Sequence, residues 1–111
     1  MTGLLVALGA AVGAPLRYLA GHWLDRRLHW GTLLVNLVGS ATLGALAGAA
    51  VAGHWLALLG TGFCGGLTTY SAFAVQTVQG GSRRGSAYAV MTVTGCLAAA
   101  ALGHFVASTL T

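Results

Sequence analysis

Four tracts, Leu4 to Leu24, Gly31 to Ala52, Trp55 to Val78 and Ser86 to Ala107, carry one formally charged residue among them, Arg17. At 1.5 Å per residue each tract is long enough to cross a hydrocarbon core of about 30 Å. Charged residues make up 5% of the chain, against roughly one quarter in soluble domains. Too little charge is present to cover a water-facing surface, so a bilayer is the expected solvent. The sequence therefore predicts an all-α membrane protein of four transmembrane helices, with residues 1–111 forming a single domain. The N-terminus lacks a basic region, so the first tract reads as a retained helix rather than a cleaved signal.

The connections are expected to be short. They are Asp25-Arg26-Arg27-Leu28-His29, then Gly53-His54, then Gly80-Gly81-Ser82-Arg83-Arg84-Gly85. Consecutive helices must then run antiparallel. Trp23, Trp30 and Trp55 lie beside these connections, where an interfacial aromatic belt belongs. Four of the five arginines fall in the first and third connections, which share one side of the membrane. The positive-inside rule puts that side in the cytoplasm. The net charge of +4 is thus a topology signal and predicts no nucleic-acid partner.

Glycine recurs at close-packing spacing. Gly9/Gly13, Gly44/Gly48 and Gly62/Gly66 are GxxxG pairs, which let helix backbones approach in lipid. Pro15 removes a hydrogen bond inside the first helix and predicts a kink or a locally re-satisfied turn. Arg17 follows two residues later. It either snorkels to the interface, with Asp25 two turns away, or places a charge at a vestibule mouth.

Polar residues fall in two stripes. Thr32, Asn36 and Ser40 share one face of the second helix, and Tyr88, Thr92 and Cys96 share one face of the fourth. Such stripes either bond helices together or line a narrow wet path. Asn36 weighs more than the hydroxyls, because a full amide in lipid is costly without partners.

The run GFCGGLTTYSAF, residues 62–73, is a poor helix centre: adjacent Gly65 and Gly66 precede Leu67 and two β-branched threonines, Thr68 and Thr69. A break at membrane depth is tolerated where the freed backbone is buried in protein or lines a cavity, and freed carbonyls can bind a cation. A glycine kink for packing is the other reading. Tyr70 and Phe73 follow at i, i+3. They are either core residues or rings presenting positive edges to an anion.

Little else carries chemistry. Cys64 and Cys96 stand alone in apolar helices and read as small buried hydrophobes. The histidines at 22, 29, 54 and 104 sit mostly at helix ends, none at metal-ligand spacing. No nucleophile–base pair is visible, so no enzymatic activity is expected.

Three motifs together resemble the Fluc (CrcB) fluoride channels: GAAVGAPLRY at 9–18, GTLLVNLVGS at 31–40 and GFCGGLTTYSAF at 62–73. Length and four-helix layout match as well, so the resemblance covers nearly the whole chain. It implies a dual-topology dimer in the cell membrane, with two fluoride pores along the subunit interface and a third helix broken near its middle. It implies a structural sodium ion at the dimer centre, held by main-chain carbonyls that map onto Gly65 and Thr68. It assigns the anion pathway to Asn36, Tyr70, Ser71, Phe73, Tyr88 and Thr92, with Cys96 beside them, and a vestibule to Arg17. The implied function is passive, fluoride-selective export that lowers cellular fluoride toxicity. Many such channels carry phenylalanine where Tyr70 stands and an acid where Gln76 stands. The arginine bias departs from equal dual insertion. It points to insertion mainly one way and pairing with an oppositely oriented paralogue, and the sequence leaves homodimer and heterodimer both open.

Two other classes compete. A small drug–proton antiporter also has four helices, but its chemistry needs a membrane-embedded carboxylate, and the one acid here is Asp25 in a connection. A small dual-topology membrane subunit without its own pore would use the packing glycines and tolerate substitution of Asn36 and Phe73.

Overall fold

The computed structural model describes residues 2–25 and 29–111. The chain is all-helical, measuring 41 × 30 × 19 Å, and no strand occurs among the described residues. Helix α1 is Thr2–Leu24 and α2 is Trp30–Gly48. Residues 53–67 form α3, a continuous helical run of Gly53–Trp55, the wider π-helical Leu56–Cys64 and Gly65–Leu67. Helix α4 is Tyr70–Gln79 and α5 is Gly81–Leu110. Between α3 and α4, Thr68 (φ −80°, ψ 159°) and Thr69 (φ −148°, ψ 123°) are extended.

Among the described residues, α1, α2 and α5 are long and apolar enough to cross a membrane. The expected third tract, Trp55 to Val78, is not one continuous helix of that length, because the extended pair divides it.

Two expected boundaries need correction. Helix α2 was expected to reach Ala52 and stops at Gly48. Its end is closed by paired bonds, Val51 N–H to the Leu46 carbonyl (2.9 Å) and Ala50 N–H to the Ala47 carbonyl (3.1 Å). This closure needs a left-handed residue at Ala50, which has φ +57°. The third connection was expected to run from Gly80 to Gly85. Only Gly80 lies outside a helix there, because Gly81 (φ +78°) makes the turn and Ser82, Arg83 and Arg84 already belong to α5. Pro15 is accommodated inside α1, which runs on as one helix. The expectations for Arg26, Arg27 and Leu28 in the first connection lie outside the described residues.

Packing follows the glycines. Helix α3 lies along α1, and α5 lies along α2. A Cβ on Gly9 or Gly13 would strike the α3 backbone at Leu58 or Phe63, and one on Gly62 or Gly66 would strike α1 at Val6 or Ala10. Gly44 and Gly48 meet the α5 backbone at Ala100 and His104 in the same way. Backbone contact of this kind substitutes for a hydrophobic drive between helices in lipid.

Polarity is inverted relative to a soluble protein. Thr32, Asn36 and Thr92 are buried, while Leu8, Val12, Leu97, Leu102 and Phe105 are exposed on the outside. Trp23, Trp30 and Trp55 are exposed near helix ends. This arrangement suits an apolar surround with the polar groups turned inward.

Candidate functional site

The two polar stripes meet. Asn36 and Ser40 from α2 and Thr92 and Cys96 from α5 line one cavity of about 740 Å³. Gly65 near the end of α3 and the extended Thr68 and Thr69 also line it, as do Tyr70 and Phe73 at the start of α4.

Asn36 fixes the extended pair. Its Nδ2 donates to the Thr69 carbonyl at 3.2 Å, and its Oδ1 accepts the Thr69 N–H at 2.8 Å. A primary amide carries two N–H donors, so one remains after this clamp. The Thr69 hydroxyl accepts the Ala72 N–H at 3.2 Å and so caps the N-terminus of α4. The Thr68 N–H and hydroxyl both donate to the Cys64 carbonyl, at 2.9 and 2.8 Å.

These bonds divert donors from two carbonyls. In a continuous helix the Thr69 N–H would bond the Gly65 carbonyl and the Ala72 N–H the Thr68 carbonyl. Here the first goes to Asn36 and the second to the Thr69 hydroxyl. Gly65 also has nothing within 4 Å of where a Cβ would sit, so its surroundings on the cavity side are open.

The aromatic residues form a short ladder. The Tyr70 and Phe73 rings are 6.1 Å apart at 54°, and the Phe73 and Tyr88 rings 5.6 Å apart at 43°. Tyr70 is 80% exposed, whereas Tyr88 is 7% exposed. Ser71 is exposed, with its Oγ 3.4 Å from the Thr69 hydroxyl. The Thr92 hydroxyl is buried with no partner.

Of the residues singled out in the sequence, the cavity brings together Asn36, Gly65, Thr68, Tyr70, Phe73, Thr92 and Cys96. Ser71 and Tyr88 stand beside it, and Arg17 is half-buried on α1 away from its lining. The Tyr88 hydroxyl, read from the sequence as an anion donor, gives its proton to Gln76 Oε1 at 2.9 Å.

Two participants were missed in the sequence. Thr69 clamps to Asn36 and caps α4; a threonine directly before a helix was the available signal. Asp25, read as a loop residue, accepts from the Thr32 N–H at 3.0 Å and the Thr32 hydroxyl at 2.8 Å. No spacing rule joins residues from these different elements.

Comparison with known proteins gives the family. The family model described as CrcB-like protein, Camphor Resistance (CrcB), matches residues 4–104. A protein of Streptomyces avermitilis named fluoride-specific ion channel FluC 1 is 43% identical over 122 residues, covering 99% of this chain and 98% of that protein. Fluoride-specific ion channel FluC of Bordetella petrii is 46% identical over 111 residues, covering 90% of this chain and 86% of its own. Fluoride-specific ion channel FluC 2 of Rhodococcus jostii is 58% identical over 80 residues, 70% of each chain. This chain belongs to the CrcB-like family and is a multi-pass membrane protein.

Proposed function

We propose that the protein is a fluoride-selective channel that lets fluoride leave the cytoplasm by passive flux. The observation that carries this reading is the cavity lined by Asn36, which keeps one N–H after its clamp, by Thr92 and by Phe73. Fluoride is small and strongly hydrated, so a pore must replace its water with donors. Amide and hydroxyl hydrogens and ring edges supply partial positive charge without a bare cation, which would hold the ion too tightly to release it. Hydrogen fluoride crosses membranes as a neutral acid and ionises in a neutral cytoplasm. A fluoride-selective leak driven by the membrane potential then expels the anion.

On this reading, residues 53–79 are the third of four membrane spans, interrupted at Thr68 and Thr69. The functional unit is a dimer of oppositely oriented subunits, either two copies of this chain or this chain with a paralogue. A sodium ion is its structural cofactor. The diverted donors at Gly65 and Thr68 support this, because carbonyls without helical partners are suitable ligands for a hard cation. Bound there, sodium would supply fixed positive charge at the interrupted turn. Asn36 holds the same turn through Thr69. Arg17 is assigned to a vestibule and Ser71 to the pathway edge.

The test uses purified protein in liposomes with a fluoride electrode. Potential-driven fluoride efflux with no chloride efflux is expected, and Phe73→Ile and Asn36→Asp are each expected to abolish it. Vesicles that retain their fluoride, or normal efflux from both variants, would overturn the assignment.

A further inference from the structure

Asp25 is the one carboxylate in the sequence, and it sits where α1 gives way to α2. A carboxylate only accepts hydrogen bonds. Its Oδ1 takes the Thr32 N–H at 3.0 Å and its Oδ2 takes the Thr32 hydroxyl proton at 2.8 Å. The Thr32 oxygen, its proton committed, accepts from Gln76 Nε2 at 3.1 Å. That nitrogen also lies 3.5 Å from Asp25 Oδ2. The amide of Gln76 must therefore turn its oxygen the other way, where it takes the Tyr88 hydroxyl proton at 2.9 Å. Every side-chain proton in this chain points toward Asp25, and each bond polarises the next.

The far end of the chain adjoins the cavity. Tyr88 packs on Phe73 and lies one turn before Thr92, both of which line it. With its proton committed to Gln76, the Tyr88 phenol has none to offer there.

We propose that Asp25 is a positioning residue: through Thr32 and Gln76 it fixes the direction of the Tyr88 hydroxyl proton and turns it away from the cavity. The functional consequence rests on the reading that the cavity passes fluoride. A phenol proton facing a small anion holds it, and withdrawing that proton favours release over capture.

Substitution of Asp25 by asparagine reverses the chain. The Thr32 backbone N–H can pair only with the remaining oxygen, so the new amide nitrogen faces the Thr32 hydroxyl. Thr32 then donates to Gln76 Oε1, the Gln76 amide flips, and its nitrogen donates to the Tyr88 oxygen. The Tyr88 proton is released from Gln76 on the side of Thr92, which lines the cavity.

Two measurements test this. The first is the Raman tyrosine doublet, read with Tyr18→Phe and Tyr70→Phe so that Tyr88 alone contributes. Tyr88 is expected to report as a donor, and to lose that signature on Asp25→Asn. An unchanged doublet overturns the proposal, whatever the protein conducts. The second is fluoride flux against concentration for Asp25→Asn, Tyr88→Phe and the double variant. Asp25→Asn is expected to lower both half-saturating fluoride and maximal flux about fivefold, the weight of one added hydrogen bond. In the Tyr88→Phe background it is expected to change neither by more than about twofold. Equal effects in both backgrounds mark a purely structural role and overturn the proposal. Should Asp25→Asn fail to fold, Gln76→Leu severs the chain and leaves the Asp25–Thr32 bonds intact. It is expected to give the same loss of the donor signature and the same direction of flux change, and wild-type behaviour overturns the proposal. Absence of flux in every variant with the expected doublet change supports the positioning role and sinks the channel reading.

Discussion

Asn36 and Thr69, 33 residues apart, are joined by a two-point amide clamp in which one side chain satisfies both backbone groups of the other residue. An extended residue inside a helical membrane protein has no ladder to bond to, and lipid offers no water in exchange. The clamp supplies what a neighbouring strand would.

Asn36→Leu removes both partners at once. The Thr69 N–H and carbonyl are left without them in a half-buried setting, at a cost of about 2 kcal/mol. The expected outcome is a lower thermal unfolding midpoint in detergent micelles. An unchanged midpoint would mean that the clamp contributes nothing to stability.

Thr69→Ala removes the cap on the Ala72 N–H and is expected to cost about 1 kcal/mol. Thr69→Ser keeps the hydroxyl and is expected to stay within a few tenths of that of the parent. Equal losses from the two variants, read by the same thermal measurement, would assign the effect to the methyl group instead.

Ala50 closes α2 in the left-handed region, at φ +57°. A Cβ there crowds the following carbonyl at roughly 1–2 kcal/mol, which glycine avoids. Ala50→Gly is therefore expected to stabilise the protein by about 1 kcal/mol. A destabilised variant would show that this end of α2 does not hold the paired-bond closure.

Gly13 and Gly65 make a contrasting pair. A side chain on Gly13 drives into the α3 backbone at Phe63 and Leu67, whereas a Cβ on Gly65 meets nothing within 4 Å. Gly13→Val is expected to lose about 3 kcal/mol or fail to fold. Gly65→Ala is expected to remain folded, as judged by gel filtration and circular dichroism. Matching behaviour of the two variants would contradict the helix contact described here.

Much of the architecture was legible because it depends on spacing along the chain. Apolar length marks α1, α2 and α5, and the fourfold spacing of Thr32, Asn36 and Ser40 marks a single helix face. The GxxxG pairs anticipated where backbones touch. The connection at Gly80 was read too long, because Ser82 and the two arginines are as acceptable in a first helical turn as in a loop. Only the turn geometry at Gly81 decides between them.

Pairings across elements were not legible. Asp25 looked like an ordinary loop acid, and Gln76 stood out only as a place where an acid was missing. Their bonds to Thr32, and the capture of the Tyr88 proton, exist because α1, α2, α4 and α5 converge at one end of the molecule. By itself the sequence determined the solvent, the helical class and which faces are polar, since those follow from local composition and a fixed helical repeat. The tertiary structure decided which donor meets which acceptor, because a hydrogen bond is settled by tenths of an ångström that helix periodicity does not specify.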